Sequence, residues 1–330
     1  MDEKKVQTNP ELRQVFAQVV EDFTAGDPGC DQVRWISLKP SHLRYKLAQR
    51  NTEVSLYLIG QLLQQAGLRK RSYLKSACLD QVPQRDEQFN KIASLKTYFM
   101  QAGWPVLSMD TKKKEMLGNF YRQGHYYDQQ ARRVNDHDFN SYADGQIIPH
   151  GLYDLADNFG YLTLGSSRDT SAFVCDNLAH FWTSDLQWKY PDADWMLLLC
   201  DGGGSNNARH YIVKQDLYQL AQLLDINIVV AHYPPYCSKW NPIEHRLFSH
   251  LHRAWQGSVF HDIETAKELA EMTHTTTGLG LKARINPQAY YTKRRVNPHF
   301  RENITEYVHF DPDLPQWNYT FHPKKRKLIF

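Results

Sequence analysis

The stretch 195-WMLLLCDGGGSNN-207 decides what kind of fold this chain can have. Five apolar residues in a row, Met196 to Cys200, end abruptly in Asp201 and three glycines. An unbroken apolar run of this length, without alternation, is the pattern of a strand covered on both faces. A charge at the carboxyl end of such a strand stands where the loops of an open α/β sheet gather around ligands. The glycines that follow let a ligand come close to the backbone. The stretch lacks the G-K-[ST] ending of a P-loop, so it is not that phosphate cradle. The competing reading of Asp201 is a cap on the helix after the turn.

Working outward, a helix is expected near 208–224, then a strand at 226-INIVVAHY-233 and a helix opening at 241-NPIEHRLFSHL-251. Upstream, 106-VLSMD-110 reads as a strand, and 147-IIPHGLYDLA-156 and 161-YLTLGS-166 as a hairpin joined at 157-DNFG-160. A helix rich in Phe173, Leu178, Phe181 and Trp182 follows. The order β, hairpin, α, β, α, β, α predicts an α/β fold, a mixed sheet flanked by helices. The polar stretch 111–146 reads as an elaborated loop beside the end of the first strand.

The first part of the chain has a different character. Residues 9–25 place Leu12, Val15, Phe16, Val19, Val20 and Phe23 at helical spacing behind Asn9 and Pro10. Two short helices follow, at about 40–50 and 55–66, the second capped by Ser55 and ended by Gly67. Leu56, Ile59, Leu62, Leu63 and Ala66 are its expected buried stripe, with Tyr57, Gln61, Gln64 and Gln65 outward and Arg69, Lys70 and Arg71 just beyond. This is a helix-turn-helix pattern with a basic flank; an ordinary helical hairpin with a solvated face is the alternative. Residues 31–75 carry nine Lys and Arg against two Asp and Glu, a local +7 within a chain of net +3. Such a local surplus suits a polyanion. Arg44, Lys46, Tyr57, Gln61, Gln64, Arg69, Lys70 and Arg71 are the candidate DNA contacts here. A connecting helix is expected at 86–102, stopped by Gly103.

The chain has 330 residues, 42% of them hydrophobic, enough for one large and one smaller domain. It has no apolar run of about 18 residues and no secretory leader, so neither a membrane partner nor export is expected, and the default location is the cytoplasm. Cys30, Cys78, Cys175, Cys200 and Cys237 are scattered, which suggests reduced thiols rather than a disulfide framework or zinc knuckle.

The chemistry centres on Asp110, Asp201 and Glu244. Asn241, Pro242 and Glu244 spell a capping box, which alone would account for a glutamate. Yet Leu247, Phe248, Leu251 and Trp255 lie at helical spacing from Glu244, so its side chain is expected on the apolar stripe. An unpaired buried charge costs several kcal/mol, and divalent cations shared with the two aspartates would offset it. Oxygen-only ligands suit Mg²⁺ or Mn²⁺. Two such ions about 4 Å apart serve phosphoryl transfer. His232, His245, His250 and His252 surround the region without H-E-x-x-H spacing and read mostly as structural. Lys112, Lys113 and Lys114, with Arg132, Arg133 and Lys239, could face DNA phosphates or be a solvated run.

The motifs 108-SMDTKKKEMLGNF-120, 151-GLYDLADNFGYLTLG-165, 191-PDADWMLLLCDGGGSNN-207 and 238-SKWNPIEHRLFS-249 closely resemble the DDE transposases of the ISAzo-thirteen insertion-sequence family. The likeness runs from about NPEL to WNYTF. It implies an RNase H-like core with Asp110, Asp201 and Glu244 as metal ligands, DNA strands cut and joined, and a helix-turn-helix that reads the element's ends. It also implies double-stranded DNA as partner, homo-oligomers on paired ends and a bacterial, nucleoid-associated location. The domains then expected are 1–85 with the helix-turn-helix at about 38–67, a connecting helix at 86–104, a catalytic core at 105–274 and a C-terminal extension at 275–330. Family members usually carry more sequence upstream, so a truncated copy is expected; a silent DNA-binding remnant and a nuclease without strand transfer are the alternatives. A glycosidase using a carboxylate pair is a distant third, because it leaves the basic region without a purpose. The tail 322-HPKKRKLIF-330 is expected to contact DNA, although it also resembles a nuclear import signal.

Overall fold

The computed structural model describes residues 10–27, 30–36, 38–70, 82–125, 129–136 and 139–324. Of the sequence expectations, Arg71, the cap at Asn9, Cys78 and the tail beyond residue 324 lie outside the described residues. The chain divides into two compact units, Met1–Asp80 and Gln81–Phe330.

In the first unit, helix α1 (Pro10–Asp22) buries Leu12, Phe16 and Val19. A strand pair absent from the sequence reading, β1 (Thr24–Asp27) and β2 (Cys30–Ile36), runs antiparallel after it. Helices α2 (Pro40–Ala48) and α3 (Leu56–Gln65) follow, and Ser55 Oγ accepts from the Leu58 amide at 3.1 Å, capping α3 as expected. Gly67 ends that helix with φ of 74°. The buried stripe of α3 is Leu58, Ile59 and Leu62, while Leu56 and Ala66 are exposed. The stripe is therefore rotated from the expected one, because Leu58 and Ile59 face α1 and α2 in one small core with Leu43 and Leu47.

The second unit is a sheet sandwiched by helices. Helix α4 (Arg85–Gln101) leads into β3 (Val106–Thr111) and the short β4 (Glu115–Leu117). The hairpin β5 (Gly145–Asp154) and β6 (Phe159–Gly165) comes next, then α5 (Ser171–Phe181). Strand β7 (Trp195–Cys200), helix α6 (Tyr211–Leu224) and strand β8 (Asn227–His232) alternate as expected. A single π turn, Glu244–Phe248, runs into α7 (Ser249–Ala254), and α8 (Ile263–Glu271) follows.

The central strand order is β6-β5-β3-β7-β8. Strands β3, β5 and β6 form an antiparallel meander, while β7 and β8 run parallel to β3. That is the RNase H-like arrangement. Strand β9 (Gly280–Asn286) adds to β6 in parallel, and β11 (Asn318–Phe321) adds to β8, with β10 (His309–Phe310) outside it. Strands from the segment past 274, read as an extension, thus build both edges of the nine-stranded sheet.

Helices α5 and α6 cover one face, packing Val174, Leu178, Val213 and Leu217 on Met109, Leu198 and Val230. On the other face, the π turn and α7 press Leu247, Phe248 and Leu251 against Tyr153 and Leu162, and α4 packs Ile92 and Phe99 on Leu197 and Leu199. Among the described residues, no helix is long and apolar enough to cross a membrane.

Candidate active site

Asp110 and Asp201 emerge at one level of the sheet. Met109 pairs with Cys200 across the parallel strands β3 and β7, and each aspartate is the next residue. Alternation along a strand puts Asp110 on the face of Ser108, and Asp201 on the face of Leu197 and Leu199. That is the face covered by the π turn and α4.

Glu244 is brought to the same place by bonds to β3. Ser108 Oγ donates to Asn241 Oδ1 at 2.5 Å, and it accepts from the Ile243 amide at 3.0 Å. Asn241 Nδ2 donates to the Met109 carbonyl at 3.2 Å. The expected capping box is thereby replaced: the Asn241 side chain is fully buried and bonded to the strand, and the Glu244 amide donates to the Asn241 carbonyl instead, at 3.1 Å. Leu247, Phe248, Leu251 and Trp255 are all buried, so the stripe read from their spacing is present. Two glycines admit it. A Cβ on Gly151 would lie 2.8 Å from Ile243 Cδ1 and 2.8 Å from the Phe248 ring, and one on Gly160 would lie 2.4 Å from Leu247 Cδ1. The π turn itself, with the Ser249 amide bonded to the Glu244 carbonyl, is a form common at functional positions.

The electrostatics are those of crowded carboxylates. Asp110 is pushed up to about 8, first by burial and then by the charge of Asp201, with the charge of Glu244 and a hydrogen bond to it adding to the shift. The Thr111 amide, which donates to Asp110 Oδ1 at 2.7 Å, opposes this. Asp201 is also raised, by burial and then by the charge of Asp169. The largest causes of both shifts are burial and neighbouring carboxylates. Asp110 is thereby held protonated more readily than an ordinary carboxylate. Among the described residues, no three Asp, Glu, His or Cys side chains already surround a common point at ligating distance. The donor set nevertheless fits a hard divalent cation, being oxygen-only and mutually repulsive.

Asp201 does not cap the following helix: its Oδ1 accepts from the Gly203 amide at 3.3 Å, within the glycine turn. Its main chain is held by His232, whose Nδ1 lies 2.9 Å from the Asp201 carbonyl and whose Nε2 lies 2.7 Å from the Tyr319 hydroxyl. Burial lowers His232 to about 4, so the ring is neutral. A ring nitrogen facing a carbonyl must donate, so Nδ1 carries the proton and Nε2 accepts from Tyr319. Sequence reasoning had no access to this, because Tyr319 is distant in the chain. It also missed Asp169, whose Oδ1 accepts from Thr111 Oγ1 at 3.2 Å beside the two aspartates.

The candidate DNA contacts are dispersed. Arg44, Tyr57, Gln64, Arg69 and Lys70 are exposed in the first unit, whereas Lys46 is half-buried with its ammonium 5.3 Å from the centre of the Phe23 ring. Gln61, expected outward, is half-buried and donates to Tyr57 OH at 3.1 Å. In the second unit, Lys113, Lys114 and Lys239 are exposed. Lys112 is engaged instead, 2.6 Å from Glu115 and over the Trp255 ring.

A family model described as Rhodopirellula transposase DDE domain matches residues 16–323. Among solved structures, the chain is similar to the Mos1 mariner paired end complex with Mn, at 15% identity over 78% of this chain and 69% of that chain, with a TM-score of 0.43. It is also similar to the Mos1 transposase paired-end complex with left transposon end, at 16% identity over 78% and 88% of the two chains, again with a TM-score of 0.43. No curated protein matches the chain in sequence.

Proposed function

The chain belongs to the DDE transposase family described as the Rhodopirellula transposase DDE domain, polynucleotidyl transferases and endonucleases, and on that premise we propose that Asp110, Asp201 and Glu244 form its catalytic site. The observation that carries this reading is that Asp201, from the neighbouring strand end, and Glu244, from the π turn, both act on Asp110 and help to raise it. Two Mg²⁺ or Mn²⁺ ions held by these residues would supply an activated attacking oxygen and a stabilised leaving oxygen.

The protein's own part is placement. The Ser108–Asn241 bond holds the Glu244 turn against β3, and His232 holds the main chain of Asp201. Hydrolysis breaks the phosphodiester at an element end and leaves a 3′-hydroxyl. That hydroxyl then attacks a target phosphodiester in line, forming one P–O bond as another breaks and releasing a 3′ oxygen. The exposed Tyr57, Gln64, Arg69 and Lys70 of the first unit read and grip double-stranded DNA, in a protein working on the bacterial chromosome as a homo-oligomer.

The test is incubation of the protein with Mg²⁺ and duplexes carrying the element's ends, scoring cleavage and joining for wild type, Asp110→Asn, Asp201→Asn and Glu244→Gln. All three variants should lose both products. Activity retained in Glu244→Gln would overturn the assignment, and cleavage without joining by wild type would make the protein a nuclease.

A further inference from the structure

Residues 233–240, between β8 and the Glu244 turn, are pinned at both ends beside the proposed carboxylates. At the start, the Tyr233 amide donates to the Cys200 carbonyl at 2.8 Å, and His232 holds the Asp201 carbonyl. At the end, Asn241 is bonded to Ser108 and Met109, next to Asp110. Cys237 is buried in the middle and anchors the segment. What lies between these anchors and Asn241 is therefore fixed at the rim of the site.

That rim carries exposed rings. Trp240 is 55% exposed and Tyr236 71% exposed. Tyr236 holds a left-handed φ of 62°, a conformation that strains a non-glycine residue and collects at functional sites. The Trp240 ring meets Phe89 edge-on, with centroids 6.1 Å apart and planes at 76°, which fixes its orientation. Lys239 Nζ sits 5.6 Å from the Trp240 ring centre, and the Lys239 carbonyl is tied to His245. Arg85 lies over the Phe89 ring, 5.8 Å from its centre.

A rigidly held, solvent-facing indole with an ammonium beside it, next to a phosphodiester-cleaving site, has the chemistry of a stacking platform for nucleic-acid bases. Resting on the transposase reading above, we propose that Trp240, with Lys239 on the adjoining phosphate, stacks an unpaired base of single-stranded DNA at the cleavage site. Duplex DNA offers no free base face, so the platform engages DNA only where the strands have parted, and it holds the separated strand in reach of the carboxylates.

Binding of a short fluorescein-labelled oligothymidylate and of a hairpin duplex is measured by anisotropy in EDTA, which removes catalysis from the readout. Trp240→Ala should weaken single-strand binding by about 5- to 100-fold and duplex binding by less than about 2-fold, with Trp240→Phe retaining most of the affinity. An oligonucleotide of abasic residues should bind wild type and Trp240→Ala equally. Equal loss on single strand and duplex, or no loss on either, would overturn the proposal, provided the melting temperatures of the variants match wild type. Binding in EDTA needs neither metal nor cleavage, so failure of the catalytic assignment and failure of the platform are read separately.

Discussion

Gly151 faces Asp110 across the β3–β5 ladder, and the space above its Cα is filled by Ile243 and Phe248 from the segment that carries Glu244. The absence of side chains at Gly160 and at this position is what lets the Glu244 turn pack onto the sheet. A Cβ there would stand 2.8 Å from both neighbours, closer than packed carbons tolerate, so one side must move. Gly151→Ala should therefore lift the Glu244 turn off the sheet. Overpacking of this kind costs about 1–3 kcal/mol. A shift of about 1 Å in a catalytic group can cost on the order of 10²-fold in rate. Cleavage should fall far more than thermal stability, and Ile243→Val, which removes the clashing Cδ1, should restore part of it. Unchanged cleavage in Gly151→Ala would show that the turn's position does not matter.

Asp110 makes stability depend on pH in an unusual direction for a carboxylate. Its folded-state pKa of about 8 lies above the unfolded value, near 3.9. The native state then binds more protons than the unfolded state between those limits, so its contribution declines as pH rises from about 4 to about 8 and is wholly unfavourable above. In EDTA, Asp110→Asn should melt higher than wild type at pH 8.5, with the advantage vanishing toward pH 4. The gain is about 2–4 °C for each kcal/mol recovered in a domain of this size. Equal melting curves at every pH would mean that the three acids do not repel one another.

Adding Mg²⁺ or Mn²⁺ should reverse that penalty. A ligand that binds only the native state stabilises it by about 2.7 kcal/mol at a hundred times its dissociation constant. The melting temperature of wild type should climb with divalent cation at pH 8, whereas Glu244→Gln and Asp201→Asn should respond weakly and Ca²⁺-free monovalent salt should do nothing comparable. Calorimetric titration of metal into the protein checks the same point without DNA.

The strands beneath the proposed carboxylates were legible because they are local signals. Met196 to Cys200 and Ile228 to Ala231 are unbroken apolar runs, and Asp201 stands at the end of the first. The edges were hidden for the opposite reason. Strand β9 carries Lys282, Arg284 and Asn286, and it pairs with β6, more than a hundred residues earlier, so neither its composition nor its neighbours announce it. The same limit applies to Asn241: its spacing to Glu244 spelled a capping box, yet the tertiary bond to Ser108 outcompeted the local one. Asp169 and His232 matter through what they touch, Thr111 in one case and the Asp201 carbonyl in the other, and contact of that kind is not written in spacing.

Tyr319 offers the last test, because it reaches the site only through His232. Its hydroxyl donates to Nε2 of a neutral, buried ring whose other nitrogen holds the Asp201 carbonyl. In Tyr319→Phe that nitrogen loses its donor and stays buried, at a cost of about 1–3 kcal/mol. The ring can then turn toward Cys200, whose Sγ already lies 3.3 Å from Nδ1, and release the Asp201 main chain. The expected result is a melting temperature lowered by several degrees together with a raised divalent-cation requirement for cleavage, the maximal rate at saturating metal being less affected. A variant that melts lower but needs no more metal than wild type would confine Tyr319 to the core and separate the C-terminal strand from the chemistry.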